Sequence, residues 1–560
     1  METIYGNLKG LKPSHIKQLK RLYHQRLPGD CLTTPEFAQR LAAISSEIHQ
    51  PICSYLNRRG QVIRIGIGSP HQTQIPPLEL PRYGAERLCG IRCIATQLKR
   101  ETPSESSLTA MALQRLDALA VLTLTGEGFE RRGGGATGYV KDAYLAHLIP
   151  HPEMPWTTTP ALSLDQLSQQ DFLALVDGLE TEFRQAVAQQ ANVTGDRVLL
   201  VGLMVQQDTV VRFQEGLEEL AMLVDSAGGT VLETLRQKRT QPHPQTVVGQ
   251  GKVQEMALRA QTLGANLIVF DRDLSPAQVR NLETQIGIRI CDRTEVILDI
   301  FAQRAQSQAG KLQVELAQLE YQLPRLSGRG LAMSRLGGGI GTRGPGETKL
   351  ETERRGIQRR LSRLQKEVTQ LQAHRSRMRQ RRQHQGVPSI AVVGYTNAGK
   401  STLLNALTNA DVYTADQLFA TLDPTTRRLM LTAPNSHEPL PLLLIDTVGF
   451  IHELPPPLVD AFRATLEEVT EAEALLHVVD LSHPAWEHHI QSVMEILTTM
   501  PVTPGPILIA FNKIDQVDGE TLNYAKEEFP QAVFIGACDR IGFETLRQRL
   551  AQLVTYAVSI

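Results

Sequence analysis

The stretch GYTNAGKS at residues 394–401 constrains this chain more than any other. It fits G-x-x-x-x-G-K-[ST], lies directly after the apolar run IAVVG and opens the helix-like STLLNALTN. That order matters, because the pattern works only as strand, loop and helix. Successive backbone N–H groups can then wrap a phosphate, and the helix N-terminus adds its positive dipole end. Lys400 reaches the outer phosphates and the Ser401 hydroxyl can ligate Mg²⁺. The candidate phosphate cradle is Gly394, Tyr395, Thr396, Asn397, Ala398, Gly399, Lys400, Ser401 and Thr402. The fold class that follows is α/β, with a mostly parallel sheet covered by helices on both faces.

Three further pieces appear in the expected places. LLLIDTVGF (442–450) is a strand ending in D-x-x-G. Asp446 would hold Mg²⁺ through water, Thr447 and Val448 form the turn, and the Gly449 N–H would meet the terminal phosphate. ILIAFNKID (507–515) ends in N-K-x-D. Asp515 can accept two hydrogen bonds from guanine, and adenine offers neither donor there, so this carboxylate selects GTP. Asn512 supports the loop, the Lys513 stem covers the base, and Ile514 lies between Lys513 and Asp515. IGACDRIG (535–542) sits where a GTPase touches the guanine oxygen through a main-chain N–H. Gly536 stands in place of a serine, and Ala537 or Cys538 supplies the contact. Between the first two pieces lies FATLDPTTR (419–427). Its Phe419, Ala420, Thr421, Leu422 and Asp423 would close over the nucleotide. Thr421 is the expected switch ligand of Mg²⁺, with Asp423 or Thr425 as alternatives. Lys400, Thr421 and Gly449 are the candidate catalytic residues. In this order the motifs point to a GTP hydrolase of the translation-factor-related class.

Two residues refine that chemistry. The residue after D-x-x-G is Phe450, which cannot orient an attacking water, so intrinsic hydrolysis is expected to be slow. Asn397 occupies the P-loop position at which potassium-activated GTPases bind K⁺; bracing the loop is its other reading.

The rest of the 560-residue chain is too long for one core. Residues 1–190 read as an N-terminal α+β extension, with strands at 61–68 and 116–124. A helix over 163–190 is opened by a Ser163/Gln166 capping box. Residues 191–295 read as a small α/β domain, and 387–560 as the GTP-binding domain. Residues 296–386 read as an antiparallel helical hairpin. Its seams are Leu312, Leu316, Leu319 and Leu323 on one arm, and Ile357, Leu361, Leu364, Val368 and Leu371 on the other. The tip between the arms is glycine-rich: six of the ten residues from Gly337 to Gly346 are glycine. The net charge of −1 exerts no global pull on nucleic acid, but Glu351 to Arg382 holds ten arginines and one lysine against three acidic residues. No apolar run is long enough to cross a membrane. The six scattered cysteines suit a reducing cytoplasm, with Cys89 and Cys93 as buried thiols or a metal pair.

With these residues in view the chain resembles the HflX family of bacterial ribosome-associated GTPases over about 196–560. The resemblance rests on residues 291–326, on GIGTRGPGETKLETERR (339–355), on FATLDPTTR and on DTVGFIHELPPPLVDAFRATLEE (446–468). It implies GTP and GDP as ligands, the large ribosomal subunit and its rRNA as partners, and the hairpin directed toward the peptidyl-transferase region. It further implies GTP-linked separation of ribosomal subunits as a rescue of stalled ribosomes under stress. A monomer in the cytoplasm is expected, with peripheral membrane association as an option. The 191–295 unit corresponds to a domain sometimes credited with ATP binding, but its GQGK (249–252) is short enough to be a turn alone. The chain ends soon after IGACDRIG, so the extra C-terminal domain of some members is not expected. Residues 90–122 faintly resemble JAB/MPN-type domains; ATQL (95–98) replaces their His-x-His-Pro metal motif, so a degenerate scaffold is expected.

The glycine-rich tip lacks a preceding strand and a closing G-K-[ST], which argues against a second phosphate cradle. A tip that moulds to rRNA fits better, with Arg335, Gly338, Arg343, Arg354 and Arg355 as candidate contacts. Two functional readings follow: a GTPase acting on the ribosome, or a GTP-dependent RNA chaperone or regulatory binding module. A protease-like reading of residues 1–190 is disfavoured by the missing histidines.

Overall fold

In the computed structural model the described residues are all except 1, 77–79, 81–85, 126–128, 131–135, 138, 152–153, 191–194, 207, 327–344, 384–386, 409–417, 420–424, 433–438, 452–468, 471, 499–504 and 560. They divide into two compact units. The first comprises Met1–Leu199, Val248–Ile268 and Asn281–Ile290, and the second Leu200–Val247, Val269–Arg280 and Cys291–Ile560.

The N-terminal part is built on strands β1 (Ile4–Gly6), β2 (Ile52–Asn57), β3 (Val62–Ile67), β4 (Ile91–Gln97), β5 (Ala118–Leu124), β8 (Val140–Leu148) and β9 (Trp156–Thr158). They form one mixed sheet in the order β1-β3-β2-β4-β5-β8-β9, while β6 (Phe129–Glu130) and β7 (Ala136–Thr137) pair separately. Helices α1 (Pro13–Leu22), α2 (Pro35–Ile48) and α3 (Glu105–Gln114) complete the core. Both expected strands are present. The helix expected over 163–190 is two, α4 (Leu164–Ser168) and α5 (Phe172–Gln190). The Ser163/Gln166 capping box is there, but Asp171 bridges Cys31 and the Phe172 N–H donates to the Asp30 carbonyl at 2.7 Å. That tertiary pairing takes the backbone out of helix, and Asp171 then caps α5 through the Ala174 N–H. At the ATQL stretch, the Thr96 hydroxyl is buried and ties the Ile52 N–H to Ser45.

The next sheet has the order β11-β10-β12-β13, from β10 (Arg197–Met204), β11 (Thr230–Lys238), β12 (Leu267–Phe270) and β13 (Arg289–Asp292). Between and after these strands come α6 (Val210–Ser226), α7 (Gln250–Leu263), α8 (Pro276–Ile286) and α9 (Arg293–Arg304). Helix α7 belongs to the first unit, where Gln261 donates to the Ala112 carbonyl at 3.0 Å. The expected boundary at 295/296 falls inside α9.

The hairpin arms are α10 (Gln308–Leu326) and α11 (Pro345–Gln383). In α10 the fully buried stripe is Val314, Ala317 and Tyr321, with the expected leucine seam half-buried beside it. In α11 Leu361 and Leu364 are buried, and Arg360 grips Glu315 with two 2.8 Å bonds. Most of the glycine-rich tip, with Arg335, Gly338 and Arg343, lies outside the described residues; Pro345 and Gly346 already belong to α11.

The C-terminal sheet consists of β14 (Ser389–Val393), β15 (Thr425–Thr432), β16 (Pro439–Asp446), β17 (Ala474–Asp480), β18 (Ile507–Asn512) and β19 (Val533–Phe534). Their order is β15-β16-β14-β17-β18-β19, antiparallel only between β15 and β16. Register places Val392 opposite Asp446 and Asp480 opposite Asn512, so the motif residues gather at the carboxyl ends of neighbouring strands. That is where ligands bind in open α/β sheets. Helices α12 (Lys400–Thr408), α13 (Trp486–Thr498), α14 (Gly519–Glu528) and α15 (Phe543–Ser559) belong to this part. Leu403, Leu404 and Leu407 of α12 pack with Leu546 and Leu550 of α15 in one core. Among the described residues no helix is long and apolar enough to cross a membrane.

Candidate nucleotide site

The β-branched run of β14 ends at a turn that only certain backbones allow. Gly394 (φ +153°) and Gly399 (φ +85°) both need glycine, because a Cβ would meet the Val478 carbonyl oxygen at 2.2 Å and Asn512 Nδ2 at 2.3 Å, respectively. Asn397 adopts the left-handed region at φ 59°. The loop thus curls back over the start of α12. Lys400 is buried there and donates to the carbonyls of Gly394 and Tyr395 at 3.1 and 2.8 Å. Burial pushes its ammonium down to about 8, and nearby Asp446 only partly opposes this. Such a cation is short of counter-charge, which is what a bound phosphate supplies.

The metal end is assembled beside it. Ser401 Oγ donates to Asp446 Oδ2 at 2.7 Å, and Asp446 is fully buried. A hydroxyl and a carboxylate beside a phosphate cradle are the hard oxygen donors that Mg²⁺ takes, so the residues fit that ion. Thr447 is fixed by its hydroxyl on the Val392 carbonyl at 2.6 Å, and Val448 is buried. Gly449 lies against the loop: a Cβ there would sit 2.8 Å from Thr396 Cα and 3.0 Å from Lys400 Nζ. The Phe450 N–H donates to the Gly394 carbonyl at 3.0 Å, and the Thr396 N–H donates to the Phe450 carbonyl at 2.7 Å. The Phe450 ring is buried with Val393, Tyr395 and Val493. Phe450 therefore straps the D-x-x-G segment to the P-loop and presents no polar group.

The base end is held by one side chain. Asn512 Nδ2 donates to the Ala398 carbonyl at 2.9 Å, and Asn512 Oδ1 accepts from the Ala537 N–H at 3.0 Å. One buried amide thus joins the P-loop, β18 and the last loop. Ala537 spends its N–H on Asn512, which leaves the exposed Cys538 for other contacts. Asp515 Oδ1 comes 3.1 Å from the point where a Gly536 Cβ would lie. Lys513 is left-handed at φ 61° and its ammonium pairs with Asp480 at 2.6 Å. Ile514 opens a short 3₁₀ turn, and Thr402 is half-buried in the first turn of α12. His477 of β17 is buried near Lys400, and burial with that cation lowers its imidazole to about 4, so it stays neutral.

Of the switch segment, Ala420, Thr421, Leu422 and Asp423 lie outside the described residues. Phe419 is described: its ring stands edge-on to Phe301 of α9 at 4.8 Å. Sequence reasoning missed three contacts, two of the P-loop and one beside the switch segment. The Tyr395 hydroxyl donates to Glu219 of α6 at 2.9 Å, the Tyr395 ring stacks on His489 of α13 at 3.8 Å, and the Leu418 N–H donates to the Ser226 hydroxyl. No local pattern signals them, because they join residues more than ninety positions apart.

A phosphate loop, a D-x-x-G strand end and an N-K-x-D strand end, on a six-stranded sheet of this order, define a P-loop GTPase. Family models match in three consecutive segments: a GTP-binding GTPase N-terminal model over 214–302, a GTP-binding GTPase middle-region model over 304–382, and a 50S ribosome-binding GTPase model over 389–513. The chain is 51% identical over 321 residues to the GTPase HflX of Alkalihalophilus pseudofirmus, covering 57% of this chain and 74% of that one. It is 42% identical over 367 residues to the GTPase HflX of Escherichia coli, covering 65% and 84%. Among solved structures, a GTP-binding protein of Sulfolobus solfataricus in complex with GDP is 26% identical, with coverage of 64% and 99% and a TM-score of 0.35. The chain belongs to the HflX family of GTPases and is a GTP hydrolase.

Proposed function

We propose that this GTPase binds the large ribosomal subunit through its helical arm and couples GTP binding and hydrolysis to subunit dissociation, recycling stalled ribosomes under stress. The observation that carries the reading is the charge of α11. Arg354, Arg355, Arg359 and Arg363 are exposed on it, within a chain whose GTPase segment matches a 50S ribosome-binding model. Exposed arginines along one helix meet rRNA phosphates well, and the released counterions make such binding salt-dependent.

In this reading the loop from Gly394 to Thr402 holds the phosphates. Asp446 to Gly449 senses the terminal one, and Asn512 to Asp515 with Gly536 to Cys538 reads guanine. Ser401 and Thr421, with Asp446 behind them, would hold Mg²⁺, which would supply charge neutralisation at the outer phosphates. Asn397 is the candidate K⁺ ligand, with bracing of the P-loop as its other role. Phe450 cannot position water, so the ribosome-bound state has to complete the hydrolytic geometry. Arg335, Gly338 and Arg343 at the tip extend the rRNA contact begun by Arg354 and Arg355.

Co-sedimentation with purified large subunits tests this. Binding is expected with a non-hydrolysable GTP analogue and Mg²⁺, and to weaken with GDP. Equal affinity for free structured RNA and for large subunits would favour an RNA chaperone instead.

A further inference from the structure

A buried polar chain runs behind the P-loop, and none of its outer members touches the nucleotide motifs in sequence. Tyr395 is the hub of the loop: its carbonyl accepts from Lys400, and its backbone bridges Phe450. Its hydroxyl is committed to Glu219 Oε2 at 2.9 Å. Glu219 Oε1 lies 3.1 Å from Arg293 Nη2, with both side chains about a tenth exposed. The two atoms lack hydrogen-bond geometry, so this link is ionic. Arg293 is the first residue of α9, and the preceding residue, Asp292, caps that helix through the Glu295 N–H at 3.0 Å. Asp292 in turn accepts from Tyr321 of the hairpin arm α10 and from Arg325 at 2.7 Å. Arg325 also covers the Tyr321 ring at 3.5 Å.

We infer that Glu219 is a positioning residue for GTP binding, holding the P-loop through Tyr395, and that Arg293 and Asp292 tie this hold to the base of the first hairpin arm. The physical reason is desolvation. A buried carboxylate with two partners fixes both of them, because releasing either leaves a buried polar group unmatched. Tyr395 cannot shift without giving up Glu219, and Lys400 cannot keep its carbonyl partner if Tyr395 shifts. The loop is therefore organised before nucleotide arrives. A change at Tyr321 or Asp292 reaches the loop through discrete contacts, which is the form a physical coupling takes. The assignment concerns GTP binding alone and does not depend on a ribosomal partner.

The experiment uses the full chain and isosteric variants. Tyr395→Phe and Glu219→Gln are each expected to raise the Kd for GTP about fivefold or more, within the usual range of coupling factors. The double variant is expected to match the weaker single within about twofold, because Glu219 acts on the loop only through the Tyr395 hydroxyl. Tyr321→Phe is expected to raise Kd about threefold in the parent and to have no effect in the Tyr395→Phe background. Thermal midpoints are measured alongside. Variants with a lowered midpoint but a parental Kd would make Glu219 merely structural and overturn the assignment. An equal effect of Tyr321→Phe in both backgrounds would overturn the link to the hairpin.

Discussion

At the residue scale the P-loop lysine is strongly altered by its surroundings. Its ordinary value is 10.5, and burial brings it to about 8 in the nucleotide-free chain. The folded state therefore binds fewer protons than the unfolded state between those values, so this group makes the free chain more stable as pH rises from about 8 to 10.5. Nucleotide works in the opposite direction. Phosphate charge favours the ammonium, so binding takes up a proton above pH 8. We expect GTP affinity to fall about tenfold between roughly pH 7 and pH 9, as one proton is increasingly required. Isothermal titration in buffers of different ionisation enthalpy measures that uptake; affinity flat across this range would contradict it. In the proposed reading base choice rests on Asp515. Asp515→Asn is expected to shift preference from GTP toward the xanthine nucleotide, because an amide presents a donor to the 2-oxo group. Competition between the two nucleotides in filter binding reads this directly, and unchanged GTP preference would count against Asp515.

At the element scale the hairpin shows which interactions hold two long helices together. Arg360 and Glu315 form a bidentate pair, but both are about two-fifths exposed and screened by solvent. Leu364 is 0% exposed. Truncation to alanine at such a site costs about 2–5 kcal/mol, whereas exposed ion pairs contribute little. We therefore expect Leu364→Ala to open the arms, read as faster proteolysis within 308–383. Glu315→Gln should change that rate far less. Equal effects of the two would show that the ion pair holds the arms as firmly as packing does.

At the scale of the whole molecule, the ribosomal reading makes the charge of α11 separable from the nucleotide site. Arg359→Ala together with Arg363→Ala should weaken large-subunit binding. The slope of log affinity against log salt should fall by about one unit for each rRNA phosphate that is no longer neutralised. GTP affinity of the isolated chain should not change. Loss of GTP binding in that variant would contradict this separation.

Much of the candidate site is legible in the sequence for a physical reason. Phosphate cradles, D-x-x-G and N-K-x-D turns act through backbone geometry and near neighbours, so their residues sit at fixed spacing. The strands that carry them are short apolar runs, and register follows from burial. The chain by itself thus determined the nucleotide motifs, the helical arms and the guanine preference. What it left open depends on contacts without local spacing. The break at Gln169–Asp171 needed a bridge to Cys31, the placement of α7 needed Ala112 within the same unit, and Asn512 acts on Ala398 from 114 residues away. Glu219 on Tyr395 is 176 residues distant. Only the tertiary structure decides these, because a buried polar group is matched by whatever the packed core brings within hydrogen-bonding distance, and periodicity carries no record of that partner.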